Sequence, residues 1–141
     1  MTIQLDAPRE RTHLPEHLHL ASPMPGLAGY EDFTLTPLDD AGVLYALRSE
    51  PDGARPVRLF VIDPEAFFPD YDPSIDSGVL DAIGTDPAHA VRLVVVRPAD
   101  GGDPPTANLL APLVLDPASG AAVQTVLTED WPLRAPLGRA A

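Results

Sequence analysis

The chain contains no cysteine. Disulfides, thiolate metal sites and cysteine nucleophiles are therefore excluded, and nothing calls for an oxidising compartment. Lysine is absent too: nine arginines face 21 aspartates and glutamates, for a formal charge of −12. Such a surface repels phosphate backbones, so direct nucleic-acid binding is not expected. Long apolar runs are also missing. The longest covers residues 109–115, far short of the roughly 20 residues that span a bilayer. The opening Met1-Thr2-Ile3-Gln4-Leu5-Asp6 is polar and lacks the apolar stretch of a signal peptide. A soluble, cytoplasmic chain with no membrane contact is predicted.

What is present is a single-domain length of 141 residues and 18 prolines. Prolines scattered between short apolar runs imply many short elements with sharp connections. Ile3 and Leu5 suit a first strand, and Leu14, Leu18 and Leu20 a second short element. From Phe33 onward the alternation of a β-strand is clear and residues 57–62 repeat it; residues 43–48 read as a further strand after a turn, and residues 91–97 as a strand rich in β-branched residues between turn signals. Turn signals stand at 39–42 and 50–53. Asp63-Pro64 predicts a capped helical turn over 63–68, closed by Pro69, and a second short helix is expected over 77–83 before Gly84. Residues 106–116 read as one strand in which Pro112 removes a ladder donor, so an edge position or a bulge is expected there. Apolar residues on both of its faces imply a strand covered on both sides or one that meets a partner. Asn108 would fix the entry to this strand through backbone bonds. Residues 121–128 supply a further strand, and Trp131, Leu133 and Leu137 mark a short final piece. No connection holds a helix long enough for a parallel crossover. The fold class is thus mostly β: a small antiparallel β-barrel or strongly curved sheet with one or two short helices.

Chemistry-bearing patterns are sparse. His13, His17 and His19 cluster near the N-terminus, and His13 and His17 would share a helix face as a metal pair does, but prolines interrupt the segment and no third ligand is evident. Residues 68–78, FPDYDPSIDSG, carry Asp70, Asp72 and Asp76. They fail as an EF-hand, because Ile75 replaces the glycine and Asp81 the long glutamate, which leaves weak calcium binding open. The plain reading is a solvated acidic loop anchored by Phe68 and Tyr71. No nucleophile elbow, HExxH or phosphate-binding glycine loop occurs. Carboxylates are so abundant that a pair of them carries little meaning. No enzyme activity, metal or cofactor is expected. The acids concentrate between Glu31 and Asp86, thirteen against three arginines, a local net of −10. This stretch would draw a basic partner.

Several blocks taken together resemble the flagellar assembly factor FliW family. They are GLAGYEDFTLTPL (26–38), LYALRS (44–49), FVIDPEAFFPDYD (60–72), TANLLAPLVLD (106–116) and VQTVL (123–127), in the family's order and spacing. Gly26, Gly29, Asn108 and Pro112 stand in these blocks as structural signatures. Arg48 occupies a position where the family often has glutamine, Ala28 and Tyr30 vary the Gly-Leu-Pro-Gly-Phe entry, and residues 1–25 match poorly and are expected to form a mobile lead-in to one domain spanning 1–141. The resemblance implies a non-enzymatic, monomeric regulator that binds the RNA-binding translational repressor CsrA, relieving its repression of flagellin synthesis, and binds flagellin in a mutually exclusive complex. Asp63, Phe68, Asp70, Tyr71, Asp72 and Asp76 are the expected partner contacts, combining charge with aromatic anchors. Two other readings are a flagellin-specific chaperone without a translational role and a carboxylate-based hydrolase.

Overall fold

The structure, a computed structural model, describes residues 14–24, 26–49, 55–99 and 101–137. The expected first strand at Ile3 and Leu5, His13 and the turn at 50–53 lie outside these residues. Among the described residues nine strands form one sheet: β1 His17–Leu20, β2 Asp32–Pro37, β3 Leu44–Ser49, β4 Arg58–Ile62, β5 Val91–Arg97, β6 Thr106–Ala107, β7 Leu113–Leu115, β8 Ala121–Gln124 and β9 Ala135–Pro136. Their order is β4-β3-β2-β1-β8-β7-β5-β6-β9, and β5 also pairs with β4. That last pairing closes seven strands into a barrel, leaving β6 and β9 as an extension from one end. The expected mostly β barrel is what the chain forms. A 3₁₀ turn, Pro64–Ala66, and one six-residue helix, α1 Ser77–Ala82, complete it.

Each barrel strand sends a side chain into a common interior: Leu18, Phe33, Leu47, Val61, Leu93, Leu113 and Ala122 are all essentially inaccessible. Period-two alternation dictates this, because the opposite face of each strand must find another cover. Two patches of that outer face are covered. Over β4 and β5, Ile62 and Val94 pack with Tyr71, Ala107, Leu109 and Ala135. Over β7, Val114 packs with Leu80 and Ile83 at the end of α1. The residues of β7 are buried on both faces for this reason, and its outer side meets the protein's own helix.

Two expectations are corrected by the sheet. Residues 106–116 do not form one strand. Both β6 and β7 pair antiparallel with β5, opposite Val96–Arg97 and Val91–Leu93 respectively. Between them the chain leaves the ladder. The Asn108 Oδ1 accepts the Leu110 and Ala111 N–H groups, each at 3.1 Å, a local turn that replaces ladder bonds. Pro112 lies in this break, so its missing donor falls where no ladder bond is needed; its carbonyl accepts from the Thr125 N–H at 3.0 Å.

The second correction concerns the lead-in. Residues 17–20 are a barrel strand, antiparallel to β2 and parallel to β8. The reason is burial: Leu18 and Leu20 complete the interior. Gly120 permits the parallel contact, since its φ is +83° and a Cβ there would collide with the His17 carbonyl oxygen. The sheet is therefore antiparallel except at this seam.

Candidate functional site

The acidic loop begins where β4 ends. Asp63 caps the 3₁₀ turn, its Oδ1 accepting the Glu65 N–H at 3.1 Å. Pro64 follows, where a missing N–H costs nothing. Both Phe67 and Phe68 donate their N–H groups back to the Pro64 carbonyl, at 3.1 and 2.7 Å. The tight turn sends the two rings apart: Phe68 packs into the outer cluster, while Phe67 stays 43% exposed.

Tyr71 is only 3% exposed. Its hydroxyl donates to the Leu109 carbonyl at 2.8 Å, and its ring meets Trp131 edge-on at 4.7 Å. Burial pushes its phenol up to about 12, so it remains a donor at any physiological pH. Tyr71 is thus the anchor of the loop, as expected, and its burial sets it apart from the exposed Asp70 and Asp72. Ring and hydroxyl are both satisfied inside, and Phe67 is the aromatic that faces solvent. Asp70 is exposed, and so is Asp72, whose side chain is 93% accessible with the Arg92 guanidinium 3.8 Å away. An exposed pair of that length contributes little. Asp76 stands at the start of α1 without a side-chain cap bond; its carbonyl accepts the Val79 and Leu80 N–H groups. The loop therefore offers Asp70, Asp72 and Asp76 to solvent and keeps Tyr71 as its anchor.

A second segment, which sequence reasoning left out of the site, is fastened to this loop. One Glu129 oxygen, Oε1, accepts both the Ser74 N–H at 3.0 Å and the Trp131 indole N–H at 2.9 Å. The indole bond, then the Ser74 bond, hold the Glu129 carboxyl below the usual range. The signal available beforehand was only Trp131, which marks a short final piece together with Leu133 and Leu137.

Elsewhere, Gly26 and Gly29 both adopt positive φ, 80° and 92°, in consecutive turns that lead into β2. His17 and His19 alternate onto one face of a strand, not a helix, and both approach Asp32 on β2, at 3.7 and 2.8 Å. The hydrogen bond to Asp32 raises the His19 imidazole above its ordinary 6.5 and lowers the Asp32 carboxyl below 3.8. Among the described residues no group of three histidine or acidic side chains could hold a metal ion. A cleft of about 600 Å³ opens where β4 departs from β5, lined by Val43, Tyr45, Asp63, Pro64, Val91 and Arg92 among others. Two acids, Asp63 and Glu65, stand in its lining, and Asp63 also caps the 3₁₀ turn.

The sequence model described as "FliW protein" matches residues 7–137. The chain belongs to the FliW family. Curated relatives bear the name flagellar assembly factor FliW. That of Heliobacterium modesticaldum is 33% identical over 105 residues, covering 74% of this chain and 67% of the relative. That of Syntrophotalea carbinolica is 38% identical over 110 residues, covering 72% and 74%. A crystal structure of the flagellar assembly factor FliW superposes with a TM-score of 0.77 at 24% identity, covering 92% of this chain and 91% of that one, which establishes the shared fold. The FliW match reaches well before Gly26, in keeping with the place of β1 in the barrel. Among the described residues no helix is long and apolar enough to cross a membrane.

Proposed function

We propose that this FliW protein is a non-enzymatic, cytoplasmic flagellar assembly factor that captures a CsrA-type translational repressor and flagellin in mutually exclusive complexes. It acts as a monomer and needs no cofactor. Free flagellin occupies it and frees the repressor, so flagellin synthesis stops when unassembled subunits accumulate. The observation that carries this reading is family membership joined to charge. The chain bears −12 overall, and the acids of the 63–76 loop, Asp70, Asp72 and Asp76, stand in solvent. A repressor that grips RNA phosphates must present a basic face, and an acidic antagonist is drawn to it.

Calorimetry of the purified protein against its cognate flagellin and CsrA tests the reading. Binding to each at micromolar concentration or tighter, with each displacing the other, is expected. No heat with either overturns the proposal, and heat with flagellin alone leaves a chaperone. Charge reversal by Asp70→Arg with Asp72→Arg is expected to weaken CsrA binding about tenfold and flatten its salt dependence; unchanged affinity removes the loop from the interface.

A further inference from the structure

Large apolar side chains exposed among the described residues are few: Leu38, Phe67, Val126 and Leu133. A lone exposed apolar residue needs no explanation. Three of these four, however, lie on two segments that are fastened together. Phe67 closes the 3₁₀ turn at the head of the acidic loop. Val126 and Leu133, 65% and 55% exposed, flank the segment that carries Glu129. That segment is held at both ends, by Leu127 N–H to the Leu110 carbonyl (2.8 Å) and Leu109 N–H to the Pro132 carbonyl (3.0 Å). Glu129 Oε1 ties its middle to Ser74, and Trp131 leans on Tyr71. The neighbouring Tyr71 and Leu127 are buried on the same two segments, so exposure is confined to particular positions.

Both segments are rich in acids, with Arg134 next to Leu133 in the chain and the Arg92 guanidinium 3.8 Å from Asp72. Residues 63–76 and 126–133 carry seven acids, Asp63, Glu65, Asp70, Asp72, Asp76, Glu129 and Asp130, and no basic residue. We infer that Phe67, Val126 and Leu133, set among these acids, form a preassembled docking surface for a cationic protein segment that intersperses apolar side chains with arginine or lysine. Resting on the function proposed above, the occupant is the RNA-binding repressor, the partner whose chemistry demands a basic surface. A purely apolar partner would bury the carboxylates unpaired, and a purely polar one would leave the three side chains in water. A nucleic acid is repelled outright. Glu129 is the positioning residue, because one oxygen holds both halves in register.

The test uses the full chain and its cognate CsrA. The single variants Phe67→Ser, Val126→Ser and Leu133→Ser, and the triple variant, are titrated at two salt concentrations. Each exposed apolar side chain removed is expected to weaken binding about tenfold, with the salt slope unchanged. The acid reversals of the preceding section flatten that slope instead. Glu129→Ala is expected to weaken binding and red-shift Trp131 fluorescence, and Glu129→Gln, which keeps an acceptor oxygen, to restore the emission. Wild-type affinity in all three single variants overturns the docking surface while the proposed function survives. Failure of the wild-type protein to bind CsrA overturns both.

Discussion

The two patches that cover the outside of the barrel are built differently. Over β7 the cover is aliphatic: Leu80 and Ile83 of the α1 region close on Val114. Over β4 and β5 it is aromatic and hydrogen-bonded, with Phe68, Tyr71 and Trp131 held by the Tyr71 hydroxyl and by Glu129. An aliphatic cap is non-directional and needs only to exclude water. An aromatic, hydrogen-bonded cap fixes orientation, which matters where the loops above it must present chosen side chains. The first patch is thus a stabilising cover, and the second orients the loops that we propose dock a partner.

Substitutions can break this contrast. The largest effect is expected for Leu80→Ala, which empties the aliphatic patch. Its cost is about 2–4 kcal/mol of stability by denaturant unfolding, with CsrA affinity unchanged after correction for the folded fraction. A loss of intrinsic affinity would mean that the helical cap also recognises a partner. Tyr71→Phe is expected to cost about 1–2 kcal/mol, because the Leu109 carbonyl loses its buried donor. It should also weaken CsrA binding, since the loop above loses its tether. An effect on stability alone would make the two patches equivalent. Asn108→Ala removes an acceptor shared by two N–H groups and is expected to cost about 1 kcal/mol, read by the same unfolding curves.

The smallest effect belongs to neither patch and serves as a baseline. In the exposed His19–Asp32 pair, His19 is raised and Asp32 lowered. The His19 contribution is complete below its unfolded value near 6.5 and disappears as pH rises through the higher folded value. The Asp32 contribution is present above about 3.8 and is lost as pH falls through the lower folded value. Their stabilisation therefore overlaps between these limits. Proton NMR titration should place His19 above 6.5, and Asp32→Asn should return it toward that value. An unmoved titration would show that the pair does not form in solution.

Much of the barrel is legible in the sequence, because alternation or β-branched runs between turn signals leave little choice. Residues 91–97 illustrate it: the expected strand and β5 coincide. The capped turn at Asp63-Pro64 was equally legible, since local chemistry determines it. Alternation says nothing about register or partner, however. The break at 108–112 looked like continuous strand because its residues are apolar, and only the two separate pairings with β5 reveal it. The parallel β1–β8 contact was invisible for the same reason. In the site, the acids are legible from composition and Phe68 and Tyr71 as anchors, but the exposure of Phe67 is not. Phe67 and Phe68 are chemically identical neighbours, and the 3₁₀ turn alone decides which is exposed. Tyr71 is legible as an anchor because it is the aromatic among acids, but its destination, 38 positions away at Leu109, is not.

The parallel seam bears on how the protein comes into being. His19 faces Ala121, 102 positions along the chain, so the wall closes through one of the most distant pairings that the sequence allows. Contacts so far apart form late, after the entropy of a long loop has been overcome. Until β8 is available, β1 and β7 present open edges that invite mispairing. Glu129 and Trp131, which fasten the proposed docking surface, follow β8 in the chain. A nascent or truncated copy is therefore an incomplete shell in which the proposed docking surface is unassembled, so on that proposal competence to bind arrives together with closure.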